Sequence, residues 1–136
     1  MLNSVRDLNT FISKKCFKKI FILSGKNSFL ISGANKYIKE IIKDKKVKVY
    51  YKKSDYPIVD ELIDITHNLK NFKPDLILAI GGGTVIDYAK IANVVKVNSN
   101  LCDLIVNYSY KFEKKYTKLA VVPTTAGSGA EATSNA

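Results

Sequence analysis

Three consecutive glycines, Gly81 to Gly83, separate an apolar run from Thr84 in the segment AIGGGTVIDYAK. Glycine is favoured where another group must approach the backbone closely, and the free N–H groups of a helix's first turn bind anions with help from the helix dipole. Thr84 is expected to be the N-cap of the next helix, with Asp87 at the capping-box position. The pattern predicts a phosphate-binding site formed by backbone N–H groups.

A second segment of similar chemistry, VPTTAGSGAEAT, spans residues 122–133. It combines hydroxyls and glycines with the expected start of another helix. The first segment is neither a G-x-G-x-x-G fingerprint, because Ile86 replaces the last glycine, nor a P-loop, because no Gly-Lys-Ser/Thr follows. A tight strand-to-helix turn without a ligand is the alternative interpretation. The presence of two such segments favours a binding site.

Helix-like and strand-like hydrophobic periods alternate along the chain. Helices are predicted over residues 2–12, over residues 34–42, from Pro57 onward and over residues 84–97. In the helix that starts at Pro57, the buried stripe is expected to consist of Ile58, Leu62, Ile65 and Leu69. Strands are predicted at residues 19–24, 47–51, 75–80 and 119–122, and residues 104–106 are an open case. Apolar strands separated by helices indicate an α/β fold, a doubly wound, mostly parallel, Rossmann-like sheet with helices on both faces. Ligands of such sheets bind beyond the carboxyl ends of the strands, where both glycine segments fall.

Composition limits the class of protein. The chain has 136 residues and a net charge of +10, carried by scattered lysines and a single arginine. Without a stacking aromatic platform, this charge indicates a solvated surface that attracts small anions rather than nucleic acid. Cys16 and Cys102 lack metal-site spacing and suggest no disulfide framework, which fits a reducing cytoplasm. We expect no membrane association, because no apolar stretch reaches about 20 residues.

The two glycine segments together resemble a known family. GGGTVIDYAK is similar to the Gly-Gly-Gly-Ser-Val-Ile-Asp-Thr-Ala-Lys segment of the iron-containing alcohol dehydrogenases, within the dehydroquinate synthase-like superfamily, and PTTAGSGAE is similar to their Pro-Thr-Thr-Ala-Gly-Thr-Gly-Ser-Glu. FILSGKNSF resembles the turn after the first strand of their nucleotide domain. The resemblance implies one dinucleotide-binding domain over residues 1–136, incomplete at its C-terminus. The family's helical second domain, which supplies an aspartate and three histidines to a divalent metal such as iron or zinc, is expected to be absent.

The resemblance also implies which residues bind the cofactor. The positions expected to hold the pyrophosphate of a nicotinamide dinucleotide are Gly81, Gly82, Gly83 and Thr84. Thr124 and Thr125 would contact phosphate and ribose groups nearer the nicotinamide. Asp87 and Lys90 match the family motif as well. Asp87 could equally cap the helix, and Lys90 could be a solvated lysine.

The residues after the first strand bear on which cofactor is used. NAD-preferring relatives carry an aspartate that binds the adenosine ribose, whereas this chain has Gly25, followed by Lys26 and, two residues later, Ser28. A carboxylate would repel a 2′-phosphate, so its absence removes that obstacle, and Lys26 or Ser28 could attract the phosphate. We therefore expect NADP to be tolerated or preferred over NAD.

The implied function is hydride transfer between the nicotinamide and an alcohol or aldehyde. His67, the single histidine, falls off the predicted apolar stripe and is expected at the surface, so neither catalytic residues nor metal ligands are assigned. The isolated chain is expected to be inactive, and a homodimer is compatible with the resemblance. Two alternatives remain open: a dehydroquinate synthase-like or glycerol dehydrogenase-like relative, and a module without catalysis that binds nucleotides or, through its basic surface, nucleic acid.

Overall fold

The computed structural model describes residues 5–31, 33–95, 107 and 115–124, without the side chains of residues 5–7, 28, 31 and 34. The helices are α1 Val5–Lys14, α2 Lys26–Ile31, α3 Ala34–Ile41, α4 Val59–Phe72 and α5 Gly83–Val94. The strands are β1 Lys19–Gly25, β2 Lys46–Lys52, β3 Leu76–Gly81 and β4 Lys118–Pro123. Residues 104–106, left open from the sequence, lie outside this description.

The four strands form one parallel sheet in the order β2-β1-β3-β4. Ile22 in the middle of β1 is level with Val49 of β2 on one side and with Leu78 of β3 on the other. The chain runs outward from β1 to β2 and then returns past β1 to β3. The strand order therefore reverses between β1 and β3, and in open α/β sheets the crevice at such a reversal is where ligands bind.

Successive residues of the central strands belong to two different cores. Phe21 and Ile77 pack with α4 and α5 on one face, whereas Ile22 and Leu78 pack with α1, α2 and α3 on the other. All six residues of β3 are buried, which explains why the strand is apolar at every position. The predicted α/β, doubly wound parallel sheet is confirmed.

The start of α4 differs from the prediction. The helix begins at Val59 with Ile58 as N-cap, so Pro57 precedes the first helical turn instead of opening it. Ile58 is 48% exposed and does not belong to the buried stripe, while Leu62, Ile65 and Leu69 are buried as predicted. The cause is a long-range hydrogen bond, because the Ile58 N–H donates to the Tyr88 hydroxyl at 2.6 Å. Ile58 accordingly has an extended backbone (φ −129°, ψ 143°).

Two other element boundaries also differ. Helix α2 occupies positions where only a turn was expected, because its six residues are too few to show a helical period. Its Phe29 side chain is buried against the sheet, which supplies the packing that a short helix needs. Helix α5 ends at Val94, earlier than predicted, and Val95 has an extended backbone (φ −91°, ψ 146°).

Hydrogen bonds that involve side chains join the helices and strands at the amino end of the sheet. The Asp75 carboxylate accepts hydrogen bonds from the backbone N–H groups of Lys19 (2.8 Å) and Lys18 (2.9 Å), which hold its pKa below the usual range. The Asp75 carbonyl accepts a bond from the Thr117 hydroxyl at 2.8 Å. The buried Asn93 amide bonds to both the backbone N–H (2.9 Å) and the carbonyl (3.0 Å) of Thr117. These bonds connect β1, β3, α5 and the segment entering β4.

Candidate nucleotide-binding site

The glycine turn joins β3 to α5 at the reversal of strand order. Gly82 is the N-cap, with φ −81° and ψ −174°, and Thr84 is the second residue of the helix. The prediction that Thr84 caps the helix is therefore wrong. Gly82 has no side chain with which to cap, and no side-chain cap bond is present.

Backbone donors remain available in this turn. The N–H groups of Val85 and Ile86 donate to the Gly82 carbonyl at 3.1 and 3.2 Å. Hydrogen bonding within α5 therefore starts at Val85, and the N–H groups of Gly83 and Thr84 precede it. Two such donors at the positive end of a twelve-residue helix have the geometry expected of an anion site, and anion binding there stays a prediction.

Gly81 is required by the packing of its own chain. A Cβ atom at this position would lie 2.8 Å from Cγ2 and 2.9 Å from Cβ of Val85. The first turn of α5 thus packs directly onto the end of β3, a known use of glycine in strand-to-helix turns. This contact explains glycine at position 81 without a ligand, and binding of pyrophosphate by Gly81 stays a prediction.

Strand β1 ends next to the glycine turn. Ser24 is paired with Ile80 in the register, and its buried hydroxyl donates to the Ile80 carbonyl at 2.6 Å. Sequence reasoning did not single out Ser24, although its signal was a polar residue ending an apolar strand. Gly25 is the last residue of β1, and the exposed Lys26 opens α2. Ser28 lies in α2, and its side chain is outside the description.

Strand β4 brings a hydroxyl to the same corner. The N–H of Thr124 donates to the Gly81 carbonyl at 3.0 Å. The Thr124 Oγ1 atom is buried, and the described part of the chain offers it no hydrogen-bond partner. Because a buried hydroxyl usually has a partner, this atom fits a ligand group placed against the turn. Thr125 lies outside the described residues.

Asp87 and Lys90 lie on α5 and form an ion pair. Asp87 Oδ1 is 3.5 Å from Lys90 Nζ, and the Lys90 side chain is only 17% exposed. The interpretation of Lys90 as a solvated lysine is therefore wrong. The interpretation of Asp87 as part of a capping box is also wrong, since Thr84 is not the cap.

A groove of about 230 Å³ lies beside Thr84 and Asp87, between α5 and the start of α4. Ile58 and Leu62 line its opposite wall. Tyr88 holds that wall in place: its hydroxyl accepts from the Ile58 N–H and lies 3.2 Å from the Ile58 carbonyl, to which it can donate. Tyr88 was missed from the sequence, although its signal was a tyrosine where the family segment carries threonine.

Glu61 anchors the segment between β2 and α4. Its carboxylate, only 5% exposed as a residue, accepts bonds from the N–H groups of Lys53 (2.5 Å) and Ser54 (3.3 Å) and from the Ser54 hydroxyl. Burial opposes ionisation of Glu61, but these bonds and the nearby Lys52 charge hold its pKa below the usual value. The sequence offered no signal for this role.

The described residues contain no group of three or more histidine, cysteine, aspartate or glutamate side chains that could hold a metal. His67 is exposed, as predicted. Across the same ranges, none of the helices combines the length and the apolar character needed to cross a membrane.

The sequence profile of iron-containing alcohol dehydrogenases matches residues 2–136. The chain belongs to the iron-containing alcohol dehydrogenase family. The resemblance drawn from the two glycine segments is thereby confirmed. A curated relative, the alcohol dehydrogenase of Thermococcus barophilus, is 36% identical over 81 residues, which are 55% of this chain and 21% of the relative.

Solved structures of other proteins share the fold. Sulfoacetaldehyde reductase from Bifidobacterium kashiwanohense, in complex with NAD+, superposes with a TM-score of 0.77 at 20% identity, covering 96% of this chain and 35% of that one. The iron-containing alcohol dehydrogenase of Thermococcus thioreducens gives 0.72 at 23% identity, covering 95% and 35%. The chain therefore spans about a third of the length of these solved structures. Its match to the curated alcohol dehydrogenase covers 21% of that relative.

Proposed function

We propose that this chain is the NAD(P)-binding part of a metal-dependent oxidoreductase that transfers hydride between a nicotinamide cofactor and an alcohol or aldehyde. One observation carries the proposal: the N–H groups of Gly83 and Thr84 precede the first hydrogen bonds of α5 at the point where the strand order reverses. Membership of the iron-containing alcohol dehydrogenase family and the NAD+ complex of the Bifidobacterium relative support it.

Each strand end has a distinct part in holding the dinucleotide. The turn at Gly82 and Gly83 would bind the pyrophosphate, with Thr84 contributing its N–H. Thr124, directly after β4, would donate its hydroxyl, which has no partner among the described residues, toward the nicotinamide half. Gly25, at the end of β1, would face the adenosine ribose. A bound cofactor would accept the hydride from an alcohol or give it to an aldehyde, and these residues would orient it and hold its pyrophosphate in a fixed position.

Further residues support a cofactor preference and a cellular location for the protein. The missing carboxylate at Gly25 and the exposed Lys26 support tolerance of NADP, with Ser28 as a further candidate. The metal would be held by residues other than those described. The exposed, unpaired thiol of Cys16 supports a reducing cytoplasm. Partners other than nucleotide and substrate, including a second copy of the chain, remain predictions.

Titration of the ¹⁵N-labelled chain with NAD+ and NADP+ tests the proposal. We expect saturable binding with the largest amide shifts at Gly82, Gly83, Thr84 and Thr124. Adenosine, which lacks the pyrophosphate, is the control and should leave the amides of Gly83 and Thr84 unchanged. Binding that spares the glycine turn, or no binding, would contradict the proposal. The chain alone should not reduce NAD(P)+ in the presence of alcohols, which absorbance of the reduced nicotinamide measures.

A further inference from the structure

Gly25 and Lys52 end two adjacent strands and are partners in the parallel register. Two residues earlier, Leu23 and Tyr50 are partners as well, and both belong to the core beneath α4 and α5. Side chains alternate faces with a period of two, so position 25 and Lys52 face the same side of the sheet. A side chain at position 25 would lie beside Lys52, about 5 Å away.

The ammonium group of Lys52 is directed toward the loop that follows its own strand. It donates to the Ser54 carbonyl and to the Asp55 carbonyl at 3.4 Å, both of which are neutral acceptors. The nearby Glu61 carboxylate accepts its hydrogen bonds from other groups, the backbone of Lys53 and Ser54 among them. The charge of Lys52 is therefore held at the carboxyl edge of the sheet.

Lys53 provides a natural contrast. Its ammonium group forms an ion pair of 3.0 Å with Asp64 Oδ2 and lies 5.4 Å from the centre of the Tyr50 ring. Lys53 thus forms a direct ion pair, whereas the Lys52 charge acts on the nearby Glu61 carboxylate without an ion pair among the described contacts. Successive strand-end side chains point in different directions. Of these two adjacent lysines, only Lys52 shares a face with position 25.

We propose that Lys52 determines selectivity for a nicotinamide dinucleotide that carries a 2′-phosphate. A carboxylate at position 25 would pair with Lys52 and repel a phosphate, whereas glycine places no side chain beside its register partner Lys52. The 2′-phosphate of an adenosine ribose bound at the end of β1 then takes the place that a carboxylate would occupy. This inference rests on the proposed dinucleotide site. It adds a determinant on β2 to the residues that follow β1.

The test compares the dissociation constants of NADP+ and NAD+, measured by isothermal titration calorimetry at one salt concentration on the whole 136-residue chain. The wild-type chain should bind NADP+ more tightly. Lys52→Met should weaken NADP+ binding by about tenfold and leave NAD+ binding within about twofold, because only the 2′-phosphate loses a charged partner. Lys52→Arg should retain the preference.

Two further variants complete the set. Lys53→Met removes the neighbouring charge and should leave the ratio of the two constants unchanged. Gly25→Asp should invert the preference by supplying the carboxylate that pairs with Lys52. Because Lys52 also bonds to loop carbonyls, the unfolding transition of each variant is recorded alongside.

The outcomes separate the two proposals. If both cofactors bind and Lys52→Met weakens both equally, or leaves both unchanged, the inference about Lys52 is wrong while the dinucleotide site stands. If neither cofactor binds the wild-type chain, the proposed function and the inference both fail. A wild-type chain that selects NAD+ would overturn the inference alone.

Discussion

The Ser24 hydroxyl donates a hydrogen bond of 2.6 Å to the carbonyl of Ile80 and so links β1 to β3. Both residues are fully buried, and they are partners in the register at the point where the strand order reverses. The bond adds a side-chain link to the backbone ladder between the two strands. It therefore fixes the spacing of the strand ends that lead to Gly25 on one side and to Gly81 on the other.

Replacing Ser24 with alanine should lower the free energy of unfolding by about 1 kcal/mol, the usual net value of a buried hydrogen bond. Urea denaturation followed by circular dichroism measures it. Ser13→Ala is the matched control, because the Ser13 hydroxyl is exposed and bonds only to the Asn9 side chain at 3.3 Å among the described contacts. It should change stability by less than about 0.5 kcal/mol. Equal effects of the two substitutions would contradict a structural role for the Ser24 bond.

Gly83→Pro separates the fold of the glycine turn from its binding capacity. Gly83 is the first residue of α5, where proline is tolerated, and Gly82 before it is extended. The helix should persist, but one N–H donor is lost and the ring enters the anion site. We expect nucleotide affinity to fall at least tenfold, with stability changed by less than about 1 kcal/mol. Gly83→Ala, which retains the N–H group, is the control and should bind more tightly than the proline variant. Undiminished affinity of the proline variant would place the pyrophosphate elsewhere.

Thr124→Val should have opposite effects on stability and on binding. Valine has nearly the same shape as threonine and removes a buried hydroxyl that no described residue satisfies. Without ligand, the chain should be as stable as wild type or slightly more stable. Binding of NADP+ should weaken about fivefold to tenfold if the hydroxyl contacts the cofactor. Thermal unfolding with and without nucleotide measures both effects. A loss of stability in the ligand-free chain would show that Thr124 has a partner within the protein.

Glu61 and Asp75 make stability depend on acidic pH. Both carboxylates have a lowered pKa in the folded chain, so each contributes stability that is present above its unfolded pKa and is lost as the pH falls through its folded pKa. We expect the free energy of unfolding to decrease between about pH 5 and pH 3. Glu61→Gln should destabilise the chain at neutral pH by about 1 to 3 kcal/mol and flatten this dependence. Glu40→Gln, on the exposed face of α3, should leave the curve unchanged.

The alternation of helices and apolar strands was sufficient to predict the parallel, doubly wound sheet. A strand such as β3, buried on both faces, has a continuous apolar sequence that follows directly from its surroundings. The glycine turn was also located correctly, because glycine and the change of hydrophobic period coincide there. The apolar strands and the glycine turn each depend on residues that are neighbours in the chain, so they can be predicted from the sequence.

Features that depend on distant contacts could not be predicted. Ile58 matched the helical stripe, yet its N–H bonds to Tyr88, thirty positions along the chain. Thr84 is a better capping residue than Gly82 by side-chain chemistry, but the N-cap lies two residues earlier because the first turn of α5 packs Val85 against Gly81. Glu61 satisfies backbone groups of a loop whose conformation is fixed only by folding. In each case, hydrogen bonds or packing between residues distant in the sequence override the local conformational preference of the chain.

The bonds of Asp75, Asn93 and Thr117 lie at the end of the sheet opposite the glycine turn. The hydrogen bonds that stabilise the sheet and the proposed nucleotide site therefore lie at opposite ends of its strands. The amino end has its polar groups bonded to one another, whereas at the carboxyl end the N–H groups of Gly83 and Thr84 and the Thr124 hydroxyl have no partner among the described residues. Evolution can then strengthen or weaken the framework at one end without disturbing what is recognised at the other.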